Sequence, residues 1–295
     1  MTGLKYMREE TADEYGIKVL QDKILEIAVY IDAVCTKHNI QYFLMGGSAL
    51  GALRHKGFIP WDDDLDLFMR PAEYELFRDA FNKYGNKEKY YLQELCEDDG
   101  KIVSAKLRLN GTTYIEEATK NWKIHQGIFV DIFILHNAPG KEIARIFQCL
   151  CAKAVLVKGQ KKKGARYSGV KGIALTLSSL LPFSLARNLS LWQLYRYDTA
   201  QSELVCHYTG KAFYKKGLYR ADFFDHAERI QFETVQLNVP CNTHQYLTER
   251  FGDYMVLPPR ESIKTAQHAA IWDTEKDFSV YVNKERDFSD ERYLV

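Results

Sequence analysis

"MGGSALGALRHKGFIPWDDDLDLFM", residues 45–69, joins a glycine-punctuated apolar segment to a run in which Asp62, Asp63, Asp64 and Asp66 crowd into five positions. Carboxylates that close repel one another, so a cation, or open exposure to water, has to make the arrangement tolerable. Upstream, "QYFLM" (41–45) predicts a short buried strand. Gly46-Gly47 breaks it, and Ser48 stands where a hydroxyl caps a short helix running through Arg54. "KGFIP" reads as a loop and "DLDLFM" as a strand by its alternation. On a strand, alternate side chains share a face, so Asp64 and Asp66 point one way while Leu65 and Leu67 pack the other. If the extended run starts early, Asp62 joins the acidic face.

Paired carboxylates at a strand end are the ligands a hard, octahedral Mg²⁺ takes, with positions left for phosphate oxygens and water. Two such ions about 3.5–4 Å apart stabilise both the attacking and the leaving oxygen of an in-line displacement. A third carboxylate is at hand in "GIFVDIFIL" (127–135), where Asp131 is the only charge in nine residues. A lone Asp in an apolar strand is costly unless paired or metal-bound, and the Asp64/Asp66 site is its most economical partner. The Gly46-Gly47-Ser48 turn offers backbone N–H groups, close main-chain approach and a hydroxyl to phosphate oxygens. Arg54, His55 and Lys56 carry positive charge nearby. A calcium loop is the competing reading, with Asp62, Asp64, Asp66 and Glu73 at positions 1, 3, 5 and 12. It fails because Leu67 stands where that loop needs Gly, and Pro71 lies inside it. Either an ordinary turn or a solvated acidic loop accounts for one feature alone; the combination favours a catalytic metal site.

Around this segment, residues 15–38 repeat Ile17, Leu20, Ile24, Ile27, Ile31 and Val34 at helical spacing. Pro71 suits the first turn of a second helix reaching about residue 84. Strands are expected at 90–95, 102–109, 112–117 and 127–135. Interspersed helices and strands of this kind predict an α+β catalytic core over residues 1–139. Residues 140–240 form a basic, mainly helical subdomain in this reading, ending in a hairpin-like stretch over 217–240. Residues 241–295 return to the active site.

Net charge is +1, but residues 143–197 hold ten bases and no acid, leaving the remainder of the chain acidic. The polybasic "KGQKKKGARYSGVK" (158–171) runs into apolar "IALTLSSLLPFSL" (173–185). Clustered bases beside an apolar stretch attract anionic lipid, about 1 kcal/mol per base near the surface. Peripheral contact with the inner membrane leaflet and a solvated helix face are the two readings of this segment. No aromatic-interleaved basic motif points to nucleic acid. Six cysteines without a C-x-x-C pair argue against zinc and fit a reducing compartment. Residues 1–10 lack an apolar leader core, and no apolar run approaches about 20 residues, so a cytoplasmic protein is expected.

Residues 46–69, together with "HQGIFVDIFIL" (125–135) and "RFGDYMVLPPRE" (250–261), closely resemble the signature of the LicD family of phosphocholine transferases, in the nucleotidyltransferase superfamily. The resemblance implies a nucleotidyltransferase-like mixed sheet flanked by helices. It implies Mg²⁺-dependent transfer, with two ions and Mn²⁺ as an alternative. The donor is CDP-choline or another CDP-alcohol, and the acceptor a sugar hydroxyl of a cell-surface glycan, in many members lipid-linked. Ribitol phosphate or glycerol phosphate transfer, or a small-molecule nucleotidyltransferase, are the alternatives. Carried onto this sequence, Asp64, Asp66 and Asp131 become catalytic metal ligands and Asp62 an additional carboxylate. Gly46, Gly47 and Ser48 hold donor phosphate, with Arg54 and Lys56 near, and Lys106 and Arg108 grip phosphate as a basic pair. A choline head needs an aromatic cage, for which Trp61, Tyr114, Trp122 and Tyr254 are placed in or near the motifs. The sequence departs from the family where a single histidine, His268, stands in place of two adjacent ones.

Overall fold

The computed structural model describes residues 11–94, 104–117, 119–159, 183–210, 214–259, 263 and 267–282. A 3₁₀ turn over Ala12–Tyr15, closed by Gly16 at φ 69°, precedes helix α1 (Lys18–His38). Leu20, Ile24, Ile27, Ile31 and Cys35 line its buried stripe. Strand β1 (Phe43–Leu44) leads into helix α2 (Gly46–His55). Strand β2 (Asp66–Met69) follows, then α3 (Pro71–Tyr84), with proline in its first turn, where a missing N–H costs nothing. Strands β3 (Tyr90–Gln93), β4 (Ala105–Leu109), β5 (Thr113–Glu116), β6 (Phe129–Ile134) and β7 (His136–Ala138) come next.

Five strands form the main sheet in the order β1-β2-β6-β4-β3. β2 and β6 run parallel at its centre and the other pairs are antiparallel. The chain is thus a mixed α/β structure, compatible with the α+β class. The apolar run of β6 reflects its central place: Phe129, Val130, Ile132 and Ile134 are all buried.

Beyond β7, helix α4 (Glu142–Gly159) packs on α5 (Phe183–Tyr195). Strands β8 (Leu204–Cys206) and β9 (Leu218–Arg220) extend β7 into a three-stranded sheet. A small core of Ala138, Cys149, Ala152, Leu194, Cys206, Tyr208 and Tyr214 fills this region, apart from the large core under the main sheet. The buried His136 Nδ1 lies 2.7 Å from Asp198, which also accepts the Asn137 N–H. The hairpin β10 (Ala227–Phe232) and β11 (Val235–Pro240), helix α6 (Thr243–Phe251) and strand β12 (Ala269–Asp273) follow, with β12 pairing antiparallel to β5, and a short helix spans Ser279–Val282. No helix among the described residues is long and apolar enough to cross a membrane. Most of the polybasic segment and the apolar stretch that follows it lie outside the described residues.

The expected capping role of Ser48 is corrected. Helix α2 starts two residues earlier, at Gly46 (φ 51°), with Met45 before it and no side-chain cap. Tertiary partners replace the cap. The Gly46 N–H donates to the Tyr246 hydroxyl of α6 at 2.9 Å, and the buried Ser48 hydroxyl accepts the Asp66 N–H at 2.9 Å.

Helix α2 also lies tight against the loop after it. A Cβ on Gly51 would stand 2.5 Å from the Gly57 carbonyl oxygen, a backbone atom that cannot step aside. Gly51→Ala is therefore expected to destabilise the fold by about 1–3 kcal/mol, read as a fall in urea midpoint. Gly140→Ala, with nothing within 4 Å of the added methyl, should stay within about 0.5 kcal/mol of the parent.

Candidate active site

The parallel pairing of β2 with β6 sets Asp66 directly beside Asp131. Neighbouring strands stand about 4.8 Å apart and paired residues point to the same face, so the two carboxylates share one side of the sheet. The pairing is pinned by the Asp131 N–H to the Leu65 carbonyl at 3.0 Å. Asp66 is bracketed through its own backbone as well: its N–H goes to Ser48 and its carbonyl accepts the Met45 N–H at 2.9 Å. Gln21 of α1 holds the loop just upstream by donating to the Ile59 and Asp62 carbonyls at 3.1 and 2.9 Å.

Within the acidic run, burial alternates. Asp63 and Leu65 are buried, whereas Asp62, Asp64 and Asp66 are partly exposed. Asp62 leans on α2: its Oδ2 would be 2.9 Å from a Cβ on Gly47. Among the described residues, no side-chain hydrogen bond engages the Asp62 or Asp66 carboxylate. Burial, then the Asp64 and Asp63 charges, hold Asp62 well above the ordinary carboxylate range. Burial, then Asp64 and Asp131, do the same to Asp66. Asp64 is pushed up to about 6, by burial first and against the pull of His268.

The other two acids are satisfied. Asp131 accepts the Ser104 hydroxyl at 2.6 Å and the Lys106 ammonium at 2.8 Å. Lys106 faces Asp131 across the β4–β6 ladder and also lies 3.5 Å over the Phe129 ring. Asp63 is clamped by the segment entering β12: its Oδ2 accepts the His268 and Ala269 N–H groups at 2.8 and 3.0 Å, and its Oδ1 lies 3.1 Å from His268 Nδ1. Burial would raise Asp63, but these hydrogen bonds outweigh it and hold the carboxyl below its usual range. His268 also approaches Asp64, at 3.4 Å, and is raised to about 9, chiefly by its bond to Asp63.

Asp66 and Asp131 are thus paired, and Asp62 and Asp64 act on Asp66 through their charges, with Gly47 beside Asp62 and the Ser48 hydroxyl on the Asp66 backbone. Lys106 reaches the cluster as the partner of Asp131. Arg54 and Lys56 lie at the opposite end of the ten-residue α2, and Arg54 donates to the Tyr254 and Val256 carbonyls. Arg108 is buried, bonded to Gln93 and the Gly127 carbonyl and stacked on Phe129. These contacts turn its guanidinium into the protein. Trp61 packs on Tyr15 and His55, and Tyr114 on Phe129, as core aromatics. The Tyr254 hydroxyl meets His244 Nδ1 at 2.7 Å.

Sequence reasoning missed three residues here. Asp63 was passed over as an odd member of the run, although its odd position was the signal for a buried, backbone-facing acid. Tyr246 carried no signal, because its target lies two hundred positions away, and Arg250 showed only as the first residue of the 250–261 motif. Arg250 packs against Gly46 and donates to the Tyr219 hydroxyl at 2.7 Å.

Asp62 and Asp66 offer oxygen donors with no basic side chain in contact among the described residues, beside Asp64 and Asp131, the chemistry that suits a hard dication. Asp63, Asp64 and His268 also present ligand atoms within 4.8 Å of one another. Asp63, with both oxygens committed to hydrogen bonds, is the less available member of that group.

Comparison with known proteins matches this site to a family. Residues 39–148 match the family described as LicD/FKTN/FKRP, nucleotidyltransferase domain. The chain is 33% identical over 254 residues to the lipopolysaccharide cholinephosphotransferase LicD of Haemophilus influenzae, covering 81% of this chain and 91% of that protein. The chain belongs to the LicD family. A further match, 59% identical over 108 residues, is an uncharacterised protein of Rickettsia prowazekii, covering 37% of this chain and 31% of that one. The ribitol 5-phosphate transferase FKRP of Homo sapiens is 50% identical over 42 residues, 14% of this chain and 8% of that protein. At the level of the LicD family, the activity is that of a phosphotransferase moving a phospho-alcohol.

The raised carboxyls give a signed pH dependence. A group whose folded pKa lies above its unfolded value contributes stability below the unfolded pKa and loses it as pH rises through the folded one. For Asp64 that window runs from about 4 to about 6, and Asp62 and Asp66 act in the same direction. The metal-free protein should therefore lose Tm as pH rises across this window. Added Mg²⁺ should raise Tm more at pH 7.5 than at pH 5, and Asp66→Asn should abolish that gain; equal Mg²⁺ effects at both pH values would contradict the assignment.

Proposed function

We propose that this protein is a divalent-metal-dependent transferase with a nucleotidyltransferase-like core. It moves a phospho-alcohol, choline phosphate foremost, from a CDP-linked donor to a sugar hydroxyl of a cell-surface glycan. The observation that carries the reading is the register of Asp66 beside Asp131, with Asp62 and Asp64 converging on the same place. The relative named for choline phosphate transfer to lipopolysaccharide, alike over most of both chains, supports choline as the first alcohol to test. The ribitol 5-phosphate relative keeps CDP-ribitol as the second.

In this reading Asp62, Asp64, Asp66 and Asp131 hold two Mg²⁺ ions, or Mn²⁺ in their place. Bound there, the ions supply Lewis-acid stabilisation to the attacking and leaving oxygens. Ser104 and Lys106 fix the Asp131 carboxylate, so its oxygens do not reorganise during the reaction. Ser48 acts through its hydrogen bond to the Asp66 backbone, and the start of α2 supplies N–H groups and its positive end to the donor phosphates. Positioning and electrostatics carry most of a phosphoryl-type transfer, with little covalent work left for the protein. The reaction takes place on the cytoplasmic side, where CDP-linked donors are made.

Offering CDP-choline, CDP-ribitol and CDP-glycerol with Mg²⁺ and a glycan acceptor, and weighing products by mass spectrometry, tests the proposal. Release of CMP with a mass gain of one phospho-alcohol on the glycan is expected, and Asp66→Asn or Asp131→Asn should lower the rate at least 10³-fold, on the order of a lost metal site. Turnover that needs a nucleoside triphosphate instead, leaving an NMP on the acceptor, would overturn it in favour of a nucleotidyltransferase.

A further inference from the structure

Asp63 holds His268 in two ways that do different work. The His268 and Ala269 N–H groups on Oδ2 pin the backbone entering β12, and the pairing of β12 with β5 carries the strand onward. These main-chain bonds are enough to place the segment. The ring's own contact, Nδ1 to Asp63 Oδ1 at 3.1 Å, adds nothing the backbone lacks. It does fix the ring. The imidazole is 42% exposed beside Asp64, and its Nε2, on the edge opposite Asp63, has no partner among the described residues. An oriented ring with an unspent nitrogen at the rim of an acid cluster is arranged to meet a ligand.

Three other basic groups near the cluster are committed, and a fourth, Arg250, lies against Gly46 at the start of α2 with its Nε unpartnered. Lys106 is engaged by Asp131, with Glu116 at 4.0 Å and the Phe129 ring beneath it. Arg108 is turned inward and Arg54 lies at the far end of α2. His268 is the basic side chain that touches the run of acids and keeps a donor position open.

We propose that His268 contacts the substrate in the transfer reaction. Its Nδ1 is held by Asp63, and its open Nε2 is placed to hydrogen-bond with an oxygen of the departing nucleotide phosphate. This rests on the phospho-alcohol transfer described above. The acceptor hydroxyl oxygen forms a bond to the phosphorus nearest the alcohol. The bond from that phosphorus to the bridging oxygen breaks, and CMP leaves with the oxygen and the electron pair. The hydroxyl proton passes to solvent, and His268 keeps its own protons throughout. The hydrogen bond strengthens as negative charge gathers on the leaving phosphate, so it acts on kcat more than on KM.

The full-length protein is assayed for CMP release with Mg²⁺, as wild type, His268→Ala and His268→Gln. A wild type inert toward every CDP-alcohol would defeat the transfer reading and this proposal with it. With an active wild type, His268→Ala should lower kcat about 100-fold, while KM changes less than about threefold. His268→Gln, which returns an N–H without a titrating ring, should recover to within about tenfold of wild type. Both variants should keep a single cooperative melting transition, because the backbone clamp is untouched, with His268→Ala losing some Tm as Asp63 loses its ring partner. An alanine variant within about threefold of wild type in kcat, or a glutamine variant no better than alanine, would overturn the proposal. So would a tenfold loss of Mg²⁺ affinity by titration calorimetry, which would make His268 a metal ligand instead.

Discussion

Five carboxylates, Asp62, Asp63, Asp64, Asp66 and Asp131, lie around one strand pair, and among the described residues two bases contact them. Two like charges about 4 Å apart repel by about 4 kcal/mol at an effective dielectric constant near 20. A fold that keeps such a cluster partly buried works against itself unless something else is bound there. The chain neutralises the flanks and leaves the middle bare. Lys106 sits on Asp131, and His268 lies against Asp63 and Asp64. Neither base touches Asp62 or Asp66, and burial with the neighbouring negative charges holds both carboxyls well above the ordinary range.

The scaffold resists relaxing this crowding by letting the strands part. Asp66 is fixed through its own N–H and carbonyl, to Ser48 and Met45, so β1, the start of α2 and β2 move as one unit. Tyr246 and Arg250 of α6 close on the same turn from the other side, Tyr246 by accepting the Gly46 N–H. A second strap runs from Asp63 to the segment entering β12, two hundred positions on. The late part of the chain is therefore built into the site, although its acids come from residues 62–131.

What the sequence revealed follows from how local each signal was. The stripe of α1, the proline opening α3 and the apolar run of β6 are written within one element, and each element formed within a few residues of its expected place. The position of Asp131 beside Asp66 was also foreseeable, since one charge in a central strand has few places to go. Ser48 misled because propensity sees only neighbours. A serine after two glycines reads as a cap, yet here the hydroxyl serves another strand's backbone. Arg54, Lys56 and Arg108 lie away from the acids for a related reason: a base close in sequence to a motif need not face it, and helix length or a buried glutamine decides where it goes. The Asp63–His268 contact joins residues 205 positions apart, so no local pattern could have announced it.

The charge balance of the cluster bears on how many cations the proposed reaction uses. Five acids set against Lys106 and His268 leave three negative charges, if each acid is ionised in the working state. One dication would leave the site still negative and hostile to a diphosphate donor. Two dications reverse the sign, and the site then attracts a donor whose phosphates carry two negative charges. A third would overfill it, because the free oxygens belong mainly to Asp62, Asp64 and Asp66, with Asp131 shared by Ser104 and Lys106. The same arithmetic gives the two bases a purpose beyond neutralisation. Without them a pair of dications would meet a site of five negative charges and remain net negative, so Lys106 and His268 set the threshold at which two ions make the pocket welcoming to an anion.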